Sequence, residues 1–446
     1  MDTPICDFVA RYADATPLRL HMPGHKGISL LGVEHLDITE IDGADSLFEA
    51  NGIIRKSEEN ASRLFGCHTL YSTEGSSLCI RAMLYLCMIY ATQQGKTPLI
   101  AAARNVHSTF IRAAAMLDFE IHWLYSENVS SYLSCVIEPQ SLDNWLSNTA
   151  TKPVALYLTS PDYLGNVSDI KKLSNICHKH GVLLIVDNAH GAYLRFLPRS
   201  EHPIDLGADL CCDSAHKTLP VLTGGAYLHI SDHAPAMFSQ LAKQALAMFA
   251  STSPSYLILQ SLDAANNLLS NGYSEKLASF LSSAVKLKSE LMTQGYRFIG
   301  NELLKYTIDC KDYGYTGQEL AQRLQTQGIT VEFADPDYLV LMLTPAVEAE
   351  GLSRLRTALM KLPHRSPLSS IAPSLHPGVQ RMTPRQAAFS CCETIPVAEC
   401  LGRILASPSV GCPPAVPIVV CGEEIDETAI ACFSYYGIKN CCVTIP

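Results

Sequence analysis

The sequence predicts an α/β protein built around a mostly parallel β-sheet. Short runs of consecutive apolar residues, such as LIAAA at 99–103 and VLLIV at 182–186, are typical of strands buried on both faces. Segments with helical patterning separate these runs, and this alternation favours a doubly wound parallel sheet. The chain has 446 residues, of which 48% are hydrophobic, so it can bury the core that such a sheet needs.

The predicted elements begin after a turn-rich lead-in of 55 residues. KSEENASRLFG predicts a helix that Gly66 ends. Strands are then predicted at TLYS, LIAAA, EIHWLY, VALYLT and VLLIV, and the helices between them at LCIRAMLYLCMIYAT, HSTFIRAAAMLDF and DIKKLSNICHKH. After GGAYLHI (224–230) the pattern is helical to about residue 295.

The remaining chain predicts a second, smaller α/β domain and a last unit. KYTIDC, GQELAQRLQTQG, ITVEFA, YLVLML and GLSRLRTALMKL indicate strand, helix, two strands and helix, and the Ser/Pro-rich HRSPLSSIAPSLHPG predicts a linker. The expected layout is a lead-in segment (1–55), a large sheet domain that binds the cofactor described below (56–255), a small α/β domain (256–363), a linker (364–380) and a C-terminal α+β unit (381–446).

Charge and composition argue against several classes of partner. The formal net charge is −10 and no run of Lys or Arg occurs, so we expect no nucleic-acid and no membrane partner. The apolar stretch at 78–91 carries Arg81 and is too short to span a bilayer. The seventeen cysteines form no CxxC pair, and the N-terminus does not resemble an export signal, which together predict reduced thiols in the cytoplasm.

The strongest chemical signal joins VLLIVDNAHGAY and DLCCDSAHKTLP. Ligands of open α/β sheets bind beyond the carboxyl ends of the strands, and Asp187 directly follows VLLIV. Lys217 lies thirty residues further on, in SAHKT. A lysine amine that forms an imine with the cofactor aldehyde, and a carboxylate that pairs with the pyridinium nitrogen, are what pyridoxal phosphate requires.

The physical reason for this pair is charge. A carbanion at the substrate Cα is stabilised when the protonated ring accepts its electrons, and the carboxylate of Asp187 would keep that proton in place. Lys217 must be neutral to attack, so we expect burial and the cationic ring to depress its pKa. Either residue alone would more often be an ordinary loop or surface residue.

Weaker signals surround this pair. Phosphate binding needs backbone N–H groups and hydroxyls at a helix N-terminus, and the turn in TEGSSLCIRAML offers them. A histidine follows the strand LIAAA, where it could stack on a pyridine ring. The candidates are Gly75, Ser76, Ser77, Ser214 and His216 for the phosphate and His107 for the ring. No spacing predicts a metal site.

Several motifs in order resemble the ornithine/lysine/arginine decarboxylases, which have the aspartate-aminotransferase fold (pyridoxal-phosphate fold type I). The matching segments span nearly the whole chain and are HMPGHKG, DITEIDGADSLFEANG, RNVH, VDNAHGA, SAHKTLPVLTGGAYLHI, STSPSYL, MTPRQAAF, GRI and CPPAVPIVVCGEEI. The resemblance implies a seven-stranded sheet, decarboxylation of a basic amino acid in amine or polyamine metabolism, and a homodimer with its active site at the subunit interface.

The resemblance also implies roles for individual residues. Lys217 would bind the cofactor, Asp187 would pair with the pyridinium and His107 would stack on the ring. The residues implied around the cofactor are Ser76, Ser77, Ser214 and His216 at the phosphate, Ala189 and His190 near the ring, and Thr252, which would reach the partner's phosphate. Lys217 and His216 are both candidate proton carriers, and the residues do not choose between them.

The chain departs from the family pattern at four places. Asn188 replaces the usual acidic residue, Ser76 stands in a turn that usually reads Gly-Thr-Ser, Ser108 replaces a common Lys, and Ser160-Pro161-Asp162 replaces an Asn-Pro segment. HMPGHKG begins at residue 21, so the N-terminal domain of the larger members is not expected. Transamination, another lyase reaction and a catalytically silent homologue stay open as alternatives, because fold alone does not select a reaction.

Overall fold

The computed structural model of the protein describes residues 1–126, 131–374, 376–407 and 414–445. Its strands are β1 His68–Ser72, β2 Leu99–Ala103, β3 Glu120–Leu124, β4 Ala155–Thr159, β5 Leu183–Asp187, β6 Leu210–Asp213, β7 Ala226–Ile230, β8 Arg297–Ile299, β9 Lys305–Asp309, β10 Phe333–Ala334, β11 Tyr338–Met342, β12 Cys392–Pro396 and β13 Asn440–Thr444.

Its α-helices are α1 Pro4–Asp14, α2 Ile53–Phe65, α3 Gly75–Gln93, α4 Ser108–Leu117, α5 Pro139–Asn148, α6 Ile170–Lys179, α7 Ala215–Thr218, α8 Ala236–Ala247, α9 Tyr256–Ser270, α10 Tyr273–Thr293, α11 Gly317–Gln325, α12 Glu348–Met360, α13 Pro384–Ala388 and α14 Glu427–Tyr435. The chain divides into two compact units, Met1–Gln93 with Leu183–Leu277 and Gln94–Val182 with Ala278–Pro446.

The large sheet has seven strands in the order β1-β7-β6-β5-β4-β2-β3. Strand β5 pairs in parallel with β6, and β2 pairs in parallel with both β3 and β4. Strand β7 runs antiparallel to both of its neighbours, β1 and β6. The prediction of a mostly parallel seven-stranded sheet is therefore confirmed.

The first unit carries β1, β5, β6 and β7, which are almost entirely buried. Strands covered on both faces need apolar residues at every position, which is why VLLIV reads as an unbroken run. Strand β6, with the sequence LCCD, was not predicted, because its two cysteines and terminal aspartate give no clear apolar run. Gly66 ends α2 in the left-handed conformation, as expected from the sequence.

The N-terminal lead-in is more regular than predicted, because residues 4–14 form α1. Pro4 at the first turn and the buried Ile5 and Val9, four residues apart, are typical of an amphipathic helix. The carboxylate of Asp263 accepts the backbone N–H groups of Ile5 and Cys6, which supplies partners at the start of the helix.

The second unit contains strands β2, β3 and β4 and a four-stranded antiparallel sheet of order β10-β11-β9-β8. The strand predicted at ITVEFA shortens to Phe333–Ala334, and β8 was not predicted. In the C-terminal part β12 pairs with β13 over a core that includes Leu405, Ile425, Phe433 and Val443. Residues 408–413, within the predicted C-terminal unit, lie outside the described residues, and the predicted domain boundaries stay a prediction.

Helix α3 is long and apolar enough to cross a membrane by length and composition. Of its most apolar stretch of 18 residues, 61% is buried inside the protein. It is the single helix of this kind among the described residues.

Candidate active site

Asp187 is the last residue of β5 and is only 2% exposed. Its Oδ1 accepts the backbone N–H of Ala189 at 3.2 Å, and the thiol of Cys212 lies 3.6 Å from the same oxygen. Cys212 is its register partner on β6. The strand end therefore holds the carboxylate at the carboxyl edge of two parallel strands, where ligands bind in open α/β sheets.

Lys217 lies at the same edge, in the single-turn helix α7 that follows β6. Its Nζ is 2.9 Å from Nε2 of His190, which follows Asp187 by three residues and is 6% exposed. Lysine donates to a histidine nitrogen that carries no proton, so the contact orients the amine. The structure thus joins Lys217 to His190 and Ala189 to Asp187 at one edge of the sheet, and their roles stay predictions.

Two of the predicted phosphate residues, Ser76 and Ser214, are in contact in the first unit. The hydroxyl of Ser214 donates to that of Ser76 at 2.8 Å, and both side chains are buried. Ser76 and Ser77 lie in the first turn of α3, whose early backbone N–H groups have no acceptor within the helix. Gly75 has φ +68°, and apart from its chain neighbours and its own helix no atom of the described residues lies within 4 Å of where a Cβ would be, so the helix starts beside open space.

His216 precedes the lysine and is partly buried. Its Nδ1 lies 3.0 Å from the backbone carbonyl of Gly225, which makes Nδ1 the protonated nitrogen. Burial lowers the pKa of His216, and the neighbouring charge of Lys217 lowers it further against the effect of the carbonyl. The imidazole is therefore neutral at pH 7, with Nε2 able to accept a proton.

Two further predicted site residues are His107, at the start of α4, and Thr252, between α8 and α9. His107, in the second unit, caps α4, because its Nδ1 accepts the backbone N–H of Thr109 at 3.2 Å. Thr252 is exposed in the segment between α8 and α9 of the first unit. Their predicted roles, stacking on the ring and reaching the partner's phosphate, stay predictions.

Sequence reasoning missed a buried polar network next to this site. Asp213, the last residue of β6, is fully buried. Its Oδ1 accepts from Nδ2 of Asn188 at 2.7 Å, and its Oδ2 accepts from Nε2 of His202 and of His229, each at 3.1 Å. Burial opposes ionisation of Asp213, but the two imidazoles hold the pKa of this carboxyl below its usual value.

The sequence carries a signal for this network. Asp213 and His229 interrupt strands that are otherwise apolar, and a polar side chain inside a buried strand needs a partner. Donor atoms of His202, Cys211 and Asp213 lie within 4.8 Å of one another, a spacing that a metal ion could also use. Three hydrogen bonds already engage both oxygens of Asp213, so we interpret the group as a hydrogen-bond network.

Other charged residues near the motifs have structural contacts. Asp45 accepts the backbone N–H groups of Gly52 and Ile54 at the start of α2. Arg385, a residue that could be mistaken for a carboxylate-binding arginine, donates to the carbonyls of Ala115 and Met116 at the end of α4. Both therefore act on helix ends.

The residues of the first unit fit pyridoxal phosphate by their chemistry. A lysine amine, a buried carboxylate and a helix N-terminus with two serines are the groups that the cofactor's aldehyde, ring nitrogen and phosphate require. These groups belong to Asp187, Lys217, Ser76 and Ser214, which lie at one edge of the sheet. The fold and this site define an α/β enzyme of the aspartate-aminotransferase fold type.

Comparison with known proteins places the chain in a family. The profile "Orn/Lys/Arg decarboxylase, major domain" matches residues 3–301, and the profile of the C-terminal domain matches residues 375–440. The chain belongs to the Orn/Lys/Arg decarboxylase family and is an amino-acid decarboxylase of that type. The family resemblance stated from the motifs is confirmed.

Relatives and solved structures agree with this assignment. The chain is 27% identical to an arginine decarboxylase of Bacillus subtilis, over 100% of this chain and 95% of that protein. Among solved structures, a lysine decarboxylase of Francisella novicida superposes with a TM-score of 0.80 at 17% identity, covering 99% of this chain and 81% of that chain. The constitutive lysine decarboxylase of Escherichia coli gives a TM-score of 0.76, also at 17% identity, over 100% of this chain and 82% of that chain.

Proposed function

We propose that this protein converts a basic L-amino acid, namely arginine, lysine or ornithine, to the corresponding amine and CO2, with pyridoxal phosphate bound between Lys217 and Asp187. The observation that carries the proposal is the pairing of β5 with β6. It sets the buried carboxylate of Asp187 and the amine of Lys217, 2.9 Å from His190, at one sheet edge.

Each residue has one task in holding the cofactor. Lys217 would hold its aldehyde carbon, and the carboxylate of Asp187 would hold a proton at the ring nitrogen. Ser76, Ser77 and Ser214 would bind the phosphate with hydroxyl groups and with the N–H groups of the first turn of α3. When bound, pyridoxal phosphate supplies the electron sink for the charge that develops at Cα as CO2 leaves.

Three groups of the chain are candidates to move protons at the reacting carbon. The amine of Lys217 would carry a proton to Cα whenever it is not holding the cofactor, and His190 would accept or return a proton at Nε2. His216 is neutral because burial lowers its pKa, so its Nε2 is a second candidate acceptor. His107 would orient the ring by stacking on its face.

The relatives favour one substrate to test first. Proteins named arginine decarboxylase, from Bacillus subtilis and Halalkalibacterium halodurans, align with 100% and 96% of this chain. The amine product of arginine would enter polyamine metabolism. The solved lysine decarboxylases support the fold and do not select the substrate.

We also propose a cytoplasmic homodimer with the active site at its interface. The segment 18–33 exposes a run of large apolar side chains that a monomer would leave in water. These residues are Leu18, Leu20, Met22, Ile28, Leu30, Leu31 and Val33. Thr252, exposed in its segment, is the residue proposed to reach the partner's phosphate.

The experiment is an assay of the purified, cofactor-loaded protein with arginine, lysine and ornithine in separate reactions. The expected result is CO2 and the amine of one of the three in equal amounts. A keto acid in place of the amine would indicate transamination, and no product from any of the three would contradict the proposal. Light scattering of the same sample measures the mass and should give twice that of one chain.

A further inference from the structure

The buried carboxylate of Asp213 connects the two loops that carry the active-site residues. Asn188, its partner at 2.7 Å, directly follows Asp187 and precedes His190 by two residues. Asp213 directly precedes Ser214 and lies four residues before Lys217. The two loops are therefore joined at Asn188 twice: its backbone N–H donates to the carbonyl of Cys212 at 3.0 Å, and its side-chain amide donates to the carboxylate of Asp213.

The donors around Asp213 have defined roles. A carboxylate can only accept, so Nε2 of both His202 and His229 carries a proton. Nδ1 of His229 then accepts from the hydroxyl of Thr69, 3.0 Å away. This arrangement fixes Oδ2 toward the histidines and leaves Oδ1 to accept from Asn188 at 2.7 Å, with the thiol of Cys211 3.8 Å from the same oxygen.

The position of Asn188 is built into the loop. A Cβ on Gly191 would lie 2.0 Å from Oδ1 of Asn188, so a larger residue at 191 would displace the amide. Asn188 is completely buried, and Oδ1 has no hydrogen-bond partner within the described part of the chain. The hydrogen bond from Nδ2 to Asp213 is thus the polar contact that holds this side chain.

We propose that Asp213 is a positioning residue of the proposed cofactor site, because its hydrogen bond to the side chain of Asn188, added to the backbone bond from Asn188 to Cys212, orients the Asp187 loop against the segment that carries Lys217. The inference rests on the proposed function, since it concerns the geometry of the same site. Asp213 would act without touching the cofactor, by keeping the carboxylate at 187 and the amine at 217 at the separation that the cofactor spans.

The test variant is Asp213→Asn, which can keep both histidine bonds through its amide oxygen. Its amide nitrogen would face the amide nitrogen of Asn188, so two donors meet. If the Asn188 amide turns over to accept instead, its own buried nitrogen loses its acceptor, so either arrangement loses one side-chain hydrogen bond between the loops while the backbone bond to Cys212 remains. We expect the affinity of the protein for pyridoxal phosphate, measured by titration of visible absorbance, to fall about tenfold or more. The pH at which the bound cofactor changes absorbance should also shift.

The exchange variant Asn188→Asp with Asp213→Asn restores the pair with donor and acceptor reversed. The new amide at position 213 would then donate to the new carboxylate at position 188 and still accept from the histidines. We therefore expect the affinity to recover to within about threefold of the wild type, with the wild-type spectrum. If the charge at position 213 only stabilised the fold, the cofactor affinity of the exchange variant would not recover.

The matched control is Asp209→Asn. Asp209 is a second buried carboxylate between the same strands, and its Oδ2 accepts the backbone N–H of Leu184 at 2.7 Å, near the opposite end of β5. This variant should lower the unfolding temperature without changing the affinity for the cofactor or the spectrum.

Three results would contradict the proposals, and they distinguish failure of the proposed function from failure of this inference. Wild-type protein without cofactor absorbance would overturn the proposed function and this inference with it. Wild-type absorbance with a D213N variant that binds the cofactor as the wild type does would overturn this inference alone. An exchange variant as weak as D213N would also overturn it, provided that thermal unfolding shows both variants folded.

Discussion

The side-chain nitrogen of Lys217 lies 2.9 Å from Nε2 of His190, a residue twenty-seven positions earlier in the chain. The two side chains come from loops that follow neighbouring parallel strands, β6 and β5. His190 is buried, so the contact fixes the direction of the amine before any ligand binds. An oriented amine is the arrangement that an imine-forming lysine needs.

Replacing Lys217 with Ala should abolish both the visible absorbance of bound cofactor and turnover, because no other amine takes its place. We expect turnover to fall by at least about a thousandfold, measured as amine released. The matched control is Lys276→Ala, which removes an exposed lysine from α10 and should change neither quantity. Retained turnover in a folded K217A protein would refute the assignment.

Replacing Asp187 with Asn should slow the chemical step by about two or more orders of magnitude, because the neutral amide does not hold a proton at the ring nitrogen. The backbone N–H of Ala189 can still bond to the amide oxygen, so the fold should persist. Single-turnover kinetics with saturating cofactor measure this step. Near-normal turnover with bound cofactor would contradict the pairing of Asp187 with the pyridine nitrogen.

Two variants of His107 separate its observed role from its proposed one. The variant His107→Asn can still cap α4 but cannot stack on a ring, so its cofactor affinity should fall while its stability stays close to that of the wild type. The variant His107→Phe keeps an aromatic ring but loses the cap, which costs about 0.5–2 kcal/mol of stability. Thermal unfolding and cofactor titration of both variants check this, and equal cofactor affinity in H107N and wild type would exclude stacking.

Asp335 predicts a specific pH dependence of stability. It is 5% exposed, its Oδ1 accepts the backbone N–H groups of Asp337 and Tyr338, and its Oδ2 has no partner within the described residues. Burial raises the pKa of Asp335 to about 6. The folded state therefore binds the proton more tightly than the unfolded state, whose pKa is about 4. The contribution of Asp335 to the free energy of unfolding therefore falls as the pH rises from about 4 to about 6.

The variant Asp335→Asn should remove this contribution. The amide oxygen can keep both backbone bonds without a charge, so D335N should be more stable than wild type at pH 8, by about 1–2 kcal/mol. This advantage should shrink toward pH 5. Denaturant unfolding of both proteins at the two pH values measures it, and an equal difference at both values would show that Asp335 does not titrate in this range.

The sequence was most informative where one local pattern determines the structure. Apolar runs predicted strands β2, β4 and β5 to within two residues at either end, because strands buried on both faces need apolar side chains throughout. Strand β6 was missed because the two cysteines and the terminal aspartate of LCCD give no clear apolar run. Helix α1 was missed because turn-forming residues dominate the segment that surrounds it.

Within the site, residues adjacent to strand ends were predictable and long-range contacts were not. The position of Asp187 follows from the strand before it, and that of Lys217 from its motif. The bonds of Asp213 to Asn188, His202 and His229 depend on how β5, β6 and β7 pair, which no local pattern specifies. Asn188 stood out as a departure from the family pattern, and its partner became visible only in the fold.

The most direct test of the central claim is to reduce the cofactor-loaded protein with borohydride and to map the modified peptide by mass spectrometry. Reduction makes the bond between a lysine amine and the cofactor permanent, so the label reports which nitrogen holds the aldehyde. We predict a single cofactor adduct, on Lys217, and its loss in the K217A variant. An adduct on another lysine, or none on a protein that retains decarboxylase activity, would contradict the account.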